Sequence, residues 1–186
     1  MKNNIPKKAK KVFKGVIYDV YHWPQKKYDG TKTTFEGLKR ADTVEVIAVT
    51  HDQKIIIQEQ KQPGTNWFYS LPGGRIDKGE KPLKAAHREF FEETGYLTKS
   101  MKLYKKIASP YKISWSVYYY IARDIKKVSK PCTDGGELFK YKYLTFDQFL
   151  KLSEEDKFLS KDLRLIMFEA RINKKKYNEL KKTIYE

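Results

Sequence analysis

Gly74-Arg-Ile-Asp-Lys-Gly-Glu80, then seven residues, then Arg88-Glu-Phe-Phe-Glu-Glu-Thr-Gly-Tyr96 is the stretch on which the fold turns. It reads as loop, helix, loop. Gly73-Gly74 and Gly79 loosen the approach, Pro82 suits a first helical turn, and Gly95 suits a helix stop. On a helix Glu89 and Glu93 stand four apart, and Glu92 stands three from Glu89, so the three carboxylates share nearly one face. Like charges at that spacing repel, and a cation on the face removes the penalty. Carboxylate oxygens select hard ions, and Mg²⁺ commonly takes a few carboxylates together with phosphate oxygens of a substrate. The stretch therefore predicts a divalent-metal site for a phosphorylated ligand.

The same spacing resembles the Nudix box: glycine, five residues, glutamate, seven residues, then Arg-Glu-apolar-any-Glu-Glu-any-Gly-apolar. All seven fixed positions match, at Gly74, Glu80, Arg88, Glu89, Glu92, Glu93 and Gly95. At a usage of roughly one in fifteen per position, a chance match in this chain is on the order of one in a million. Phe90 and Tyr96 fill the two apolar positions where aliphatics are usual. The bland reading, a solvated acidic helix face held by an Arg88–Glu92 pair, does not account for the complete pattern.

Composition agrees with a compact enzyme. The chain has 186 residues, 40% hydrophobic, with 10 Phe, 14 Tyr and 3 Trp, enough for a sizeable core. It holds no run of 18 apolar residues and no secretory pattern, which predicts no membrane partner and a cytoplasmic location. Cys132 is the single cysteine, so neither an internal disulfide nor a cysteine-based zinc site is available. The net charge of +16 invites a nucleic-acid reading, but 33 of the 39 basic residues are Lys and only 6 are Arg. Base and phosphate forks favour arginine, so attraction of polyanionic nucleotides is the preferred use of the field and nucleic acid the less favoured partner.

Residues 1–11 read as a basic tail. Val12 to Trp23 is rich in β-branched and aromatic residues and is expected to end at Pro24; Asp29-Gly30 marks a turn into a strand over Thr31 to Leu38. Further strands are expected over Thr43–Thr50, Lys54–Glu59, Lys102–Ala108 and Leu138–Thr145. The alternation of Ile113, Trp115, Val117, Tyr119 and Ile121 with Ser and Tyr predicts a half-buried strand. A short helix over Phe146–Leu152 is followed by a last helix from a Ser160 cap to about Leu180, with Leu163, Ile166, Met167 and Ala170 as its packing stripe. The result is α/β: a Nudix-type α/β/α sandwich with a mixed sheet and an extra N-terminal antiparallel β element. The expected organisation is 1–11 tail, 12–40 β element, 41–150 catalytic domain and 151–186 helical segment.

Phe13-Lys-Gly-Val-Ile-Tyr-Asp19, Asp29-Gly30, Phe35-Glu36 and Arg40 resemble the N-terminal region of ADP-ribose pyrophosphatase-type Nudix enzymes, as do Gln60, Pro63 and Leu71-Pro72-Gly73-Gly74. Pro110, fifteen residues past Gly95, falls where a proline marks that group. The resemblance covers roughly residues 12–150 and implies a homodimer whose N-terminal elements help hold the nucleotide. It implies substrate contacts from Arg40, Gln60, Lys61 and Pro110, and Mg²⁺ (Mn²⁺ as alternative) on Glu89, Glu93, Glu92 and the Gly73 carbonyl. Arg88 orients the glutamates, and Glu80 is a ligand in one bound state or a loop anchor. In that group the water-activating base is a glutamate on a loop after the box; Glu137 in Asp134-Gly-Gly-Glu137 matches, with Asp134 the alternative. Two departures stand out. Gln60-Lys61-Gln62 replaces the usual Gln-Tyr-Arg, leaving Lys61 as a point charge, and Ser70 replaces a glutamate before Leu-Pro. The resemblance implies hydrolysis of ADP-ribose to AMP and ribose 5-phosphate. Nucleoside triphosphates, dinucleoside polyphosphates and 5′ ends of RNA are the rival substrates. A non-catalytic nucleotide-binding module is the rival from another class, against which the intact glutamates speak.

Overall fold

The computed structural model describes residues 5–109, 112–132 and 136–186. Its strands are β1 Lys10–Lys14, β2 Asp19–Lys26, β3 Lys32–Lys39, β4 Thr43–Ala48, β5 Ile55–Lys61, β6 Phe68–Ser70 and β7 Gly73–Arg75. Helix α1, Pro82–Thr94, is followed by β8 Tyr96–Leu97, β9 Ser100–Ala108, β10 Ile113–Ser114, β11 Ser116–Arg123, β12 Lys126–Lys127 and β13 Leu138–Leu144. Three helices end the chain: α2 Phe146–Lys151, α3 Lys161–Ile172 and α4 Lys174–Tyr185.

The α/β/α sandwich with a mixed sheet is present. One sheet runs β7-β4-β11-β9, with β4 and β11 parallel and the outer pairs antiparallel; a second runs β13-β5-β6. Period-two alternation divides the strands between two apolar layers. Val44, Val46 and Ala48 of β4 join Ile56, Tyr120 and Ala122 under Ala85, Ala86 and Phe90 of α1. On the opposite faces Ile47, Ile55, Ile57, Val117, Tyr119 and Ile121 meet α2, α3 and α4 through Phe149, Leu163, Met167, Ala170, Leu180 and Ile184. Strand β11 is thus buried on both faces, whereas alternation predicted one wet side. Tyr118 and Tyr120, counted as polar, lay their rings in the α1 layer.

The N-terminal β element is a separate sheet, β1-β2-β3-β10. Within it β10 pairs β3 in parallel over two residues, Ile113↔Leu38 and Ser114↔Lys39, and the chain passes to the sandwich from β3 into β4 and from β10 into β11. The chain then bends at Trp115 and enters β11 in the other sheet. The expected single strand before Pro24 is two strands, because Gly15 to Tyr18 turns back on itself with the Gly15 N–H donating to the Tyr18 carbonyl (3.1 Å). Pro24 does not end β2. The partner strand β1 reaches only to His22, so at Pro24 β2 is an edge and a missing N–H is tolerated. Asp29 accepts from the Thr31 N–H (2.9 Å) and Gly30 takes φ +84°, which builds the expected turn.

The expected last helix is two helices. Asn173 adopts an extended backbone and its side chain accepts from the Lys176 N–H (3.1 Å), which stops α3 and caps α4. Ser160 stands before α3 but does not cap it; its hydroxyl donates to Glu45 (2.5 Å) instead.

Candidate active site

Strand β7 and helix α1 present the glutamates by means of two close approaches. A Cβ on Gly74 would lie 2.6 Å from the Glu89 carboxylate, so only glycine lets that side chain lie against the loop. At the far end Gly95 takes φ +68° and its N–H returns to the Phe91 carbonyl (2.7 Å), closing α1 in the left-handed region.

Arg88 organises the acidic face. Its Nε (3.2 Å) and Nη2 (2.9 Å) grip both oxygens of Glu80, and Nη1 reaches Glu89 (2.8 Å) and Glu92 (3.1 Å). Nη2 also donates to the Arg75 carbonyl (3.0 Å), tying the helix to β7. The fork holds the Glu80 carboxyl below its usual range, and Glu80 accepts from the Asp77 N–H (3.2 Å). Glu80 thereby pins the 76–81 loop to the helix.

Glu93 lies deeper. Its Oε2 accepts from the Gly73 N–H (2.8 Å) and from Gln58 Nε2 (2.9 Å). Burial pushes its carboxyl up to about 8, against those two donors and with help from the nearby Glu89 and Glu137. Burial also raises Glu89, against the pull of Arg88. An all-oxygen set under that electrostatic strain suits a hard divalent cation, whose charge would offset both burial and mutual repulsion. Among the described residues no three His, Cys, Asp or Glu side chains are already drawn together around one point. Arg88 holds Glu89 and Glu92, and Gln58 holds Glu93, by hydrogen bonds to their carboxylates.

These groups form one wall of a cleft of about 1710 Å³. Glu80, Glu89, Glu92, Glu93 and Glu137 line it, along with Gly73, Arg88 and Gln60. Lys11, Lys14, Lys39 and Arg40 line it from the N-terminal sheet. The Arg40 guanidinium sits 4.7 Å from the Trp115 ring and 5.6 Å from that of Tyr18. Trp115, read from sequence as a packing residue, touches the core and also steadies Arg40, while its indole N–H donates to Thr43 (3.2 Å).

Lys61 is exposed and is not among the cleft's lining residues, because alternation on β5 points it away from Gln60 and Gln62. Pro110 and Asp134 lie outside the described residues. The Gln60 amide is committed to Ser70 and Gln62. Gln58, Gln62 and Ser70 were not singled out as site residues from the sequence. For the glutamines the signal was Gln58, Gln60 and Gln62 at i, i+2 and i+4 of a strand leading to the box, which places those three on one face; Ser70 had no such signal.

A family model described as the NUDIX domain matches residues 39–163. The chain belongs to the Nudix family. It is 31% identical over 146 residues to an ADP-ribose pyrophosphatase of Bacillus subtilis (strain 168), covering 77% of this chain and 79% of that one. It is 29% identical over 151 residues to a methanol dehydrogenase activator of Bacillus methanolicus, covering 80% and 82%. A crystal structure of an ADP compounds hydrolase shares the fold with a TM-score of 0.72 at 19% identity, covering 89% of this chain and 90% of the other. As a Nudix pyrophosphohydrolase, the protein carries its box on β7, the following loop and α1. No helix among the described residues is long and apolar enough to cross a membrane.

Proposed function

We propose that this Nudix hydrolase cleaves the pyrophosphate bond of a nucleoside diphosphate derivative in the presence of Mg²⁺, with ADP-ribose the leading substrate. The observation that carries the reading is the two-sided cleft: glutamates on the Nudix wall, and Lys11, Lys14, Lys39 and Arg40 on the N-terminal wall. Such a ligand has a central dianion flanked by two neutral bulky groups, which suits cations on one wall and a metal-binding acidic wall on the other. The relative from Bacillus subtilis adds weight to ADP-ribose.

Glu89, Glu92 and Glu93, with the Gly73 carbonyl, would hold the ion, which supplies charge neutralisation on the phosphoryl oxygens. Arg88 keeps Glu89 and Glu92 aimed at the cleft, and Arg40 steers the phosphates. Glu137 takes the proton of a water whose oxygen bonds to one phosphorus as the bridging P–O bond breaks. For ADP-ribose the products are AMP and ribose 5-phosphate. The exposed apolar residues of the N-terminal sheet support a homodimer.

The test is a substrate panel with Mg²⁺ and with EDTA: ADP-ribose, NADH, diadenosine polyphosphates, nucleoside triphosphates and 5′-triphosphate RNA. The highest kcat/KM is expected for ADP-ribose, with AMP and ribose 5-phosphate as products and no turnover in EDTA. A nucleoside triphosphate or RNA turned over more efficiently than ADP-ribose would overturn the substrate assignment.

A further inference from the structure

A row of glutamines runs between Glu93 and Glu137, both of which line the cleft. Gln58, Gln60 and Gln62 stand at alternate positions along β5 and just past its end, so their side chains share a face. Ser70 pairs with Gln58 across β5 and β6. The register of β13 on β5 pairs Leu138 with Lys61, which sets Glu137 opposite Gln62.

The hydrogen bonds along the row assign every amide. Gln58 Nε2 donates to the Glu93 carboxylate (2.9 Å), so its Oε1 faces back and accepts from the Ser70 hydroxyl (3.3 Å). The Ser70 hydroxyl oxygen in turn accepts from Gln60 Nε2. Gln60 Oε1 accepts from Gln62 Nε2 (3.5 Å), and the same Gln62 amide donates to Glu137 Oε1 (2.8 Å). Glu137 accepts from the Gln62 amide at one end, and at the other Glu93 Oε2 accepts from both the Gly73 N–H and Gln58; the hydroxyl at Ser70 both gives and takes, which lets the two halves meet. Gln58 and Gln60 are buried, so the row is anchored in the sandwich.

We propose that Gln62 is the positioning residue of Glu137, holding the water-activating carboxylate over the cleft through a chain of neutral amides that ends on Glu93. The proposal rests on the reading of Glu137 as the base. It also gives the two sequence departures one explanation. A neutral amide at 62 steadies Glu137 without forming a salt bridge that would weaken it as a base. A hydroxyl at 70 then supplies the donor and acceptor that a glutamate there could not.

The test is a double-mutant cycle on the full chain with ADP-ribose and Mg²⁺, using Gln62→Met, Glu137→Gln and the pair. Methionine keeps the length of Gln62 and removes its donor. Gln62→Met should lower kcat by about 10-fold or more while KM and Mg²⁺ affinity stay within about twofold, the size of effect typical of a residue that orients a reactive group. In the Glu137→Gln background the same change should lower kcat no further, since Gln62 acts only through that carboxylate. Unchanged kcat in Gln62→Met with a normal melting temperature would overturn the proposal. So would an equal loss in both backgrounds, or a rise in KM alone, which would make Gln62 a substrate contact. Full kcat in Glu137→Gln would instead overturn the assignment of the base, and the role of Gln62 with it.

Discussion

Arg88 touches Glu80, Glu89 and Glu92 at once, and this sets how the acidic face behaves without an ion. The guanidinium offsets part of the repulsion among these carboxylates and ties them to one cation. Glu93 has no such partner. It is held by an amide and a backbone N–H in a setting that disfavours its charge. Glu93→Gln is nearly isosteric and removes that charge. The expected outcome is a melting temperature equal to or above that of the wild type, with turnover lower by at least about 100-fold, roughly 2.7 kcal/mol of transition-state stabilisation. Thermal denaturation and steady-state kinetics on the same preparation check both halves; a fully active variant rules out Glu93 as a ligand. These residues were legible in the sequence because metal chemistry fixes both their type and their spacing. The glutamine row was visible as a pattern, but amides have no fixed chemistry, and only the register of β13 shows what they face.

At the scale of elements, β4 carries its one anomaly in Glu45, which alternation turns into the apolar layer beneath α3. The Ser160 hydroxyl donates to it, and burial pushes its carboxyl up to about 7 from an ordinary 4.5. Because the folded-state value lies above the unfolded one, the protonated form's contribution to stability is complete below about pH 4.5. It is lost as pH rises through about 7. Glu45→Gln should therefore match the wild type in stability near pH 4 and exceed it at pH 8, by up to about 3 kcal/mol. Denaturant melts at the two pH values test this; the same difference at both would show that Glu45 does not titrate on folding. Elements were easiest to read where one face is apolar, as on α3. They were hardest where a tyrosine could count as polar, as on β11, or where a helix breaks without glycine or proline. At Ile172-Asn173-Lys174 the break comes from a side-chain cap that the sequence does not distinguish from a surface asparagine.

At the scale of the whole molecule, Phe13 on β1 of the N-terminal sheet is 60% exposed, and Val16 at 96% and Ile17 at 60% stand in the β1–β2 turn at the rim of the cleft. Apolar surface of this kind is normally covered. Static light scattering at micromolar concentration should give twice the 22.1 kDa chain mass, and Val16→Glu with Ile17→Glu should halve it and lower kcat/KM. A wild-type monomer with full activity would sink the dimer. The attachment of that sheet has a longer consequence. Among the described residues it shares no strand pairing with the sandwich sheets and meets them where the chain passes from β3 to β4 and from β10 to β11, whereas the box glutamates stand on α1 and the loop before it. The glutamates and the cations that line the cleft thus stand on pieces that answer to different packing constraints. On the proposed reading of the cleft, descendants of this chain exchange one substrate for another by rewriting that sheet, while the Nudix box stays as it is.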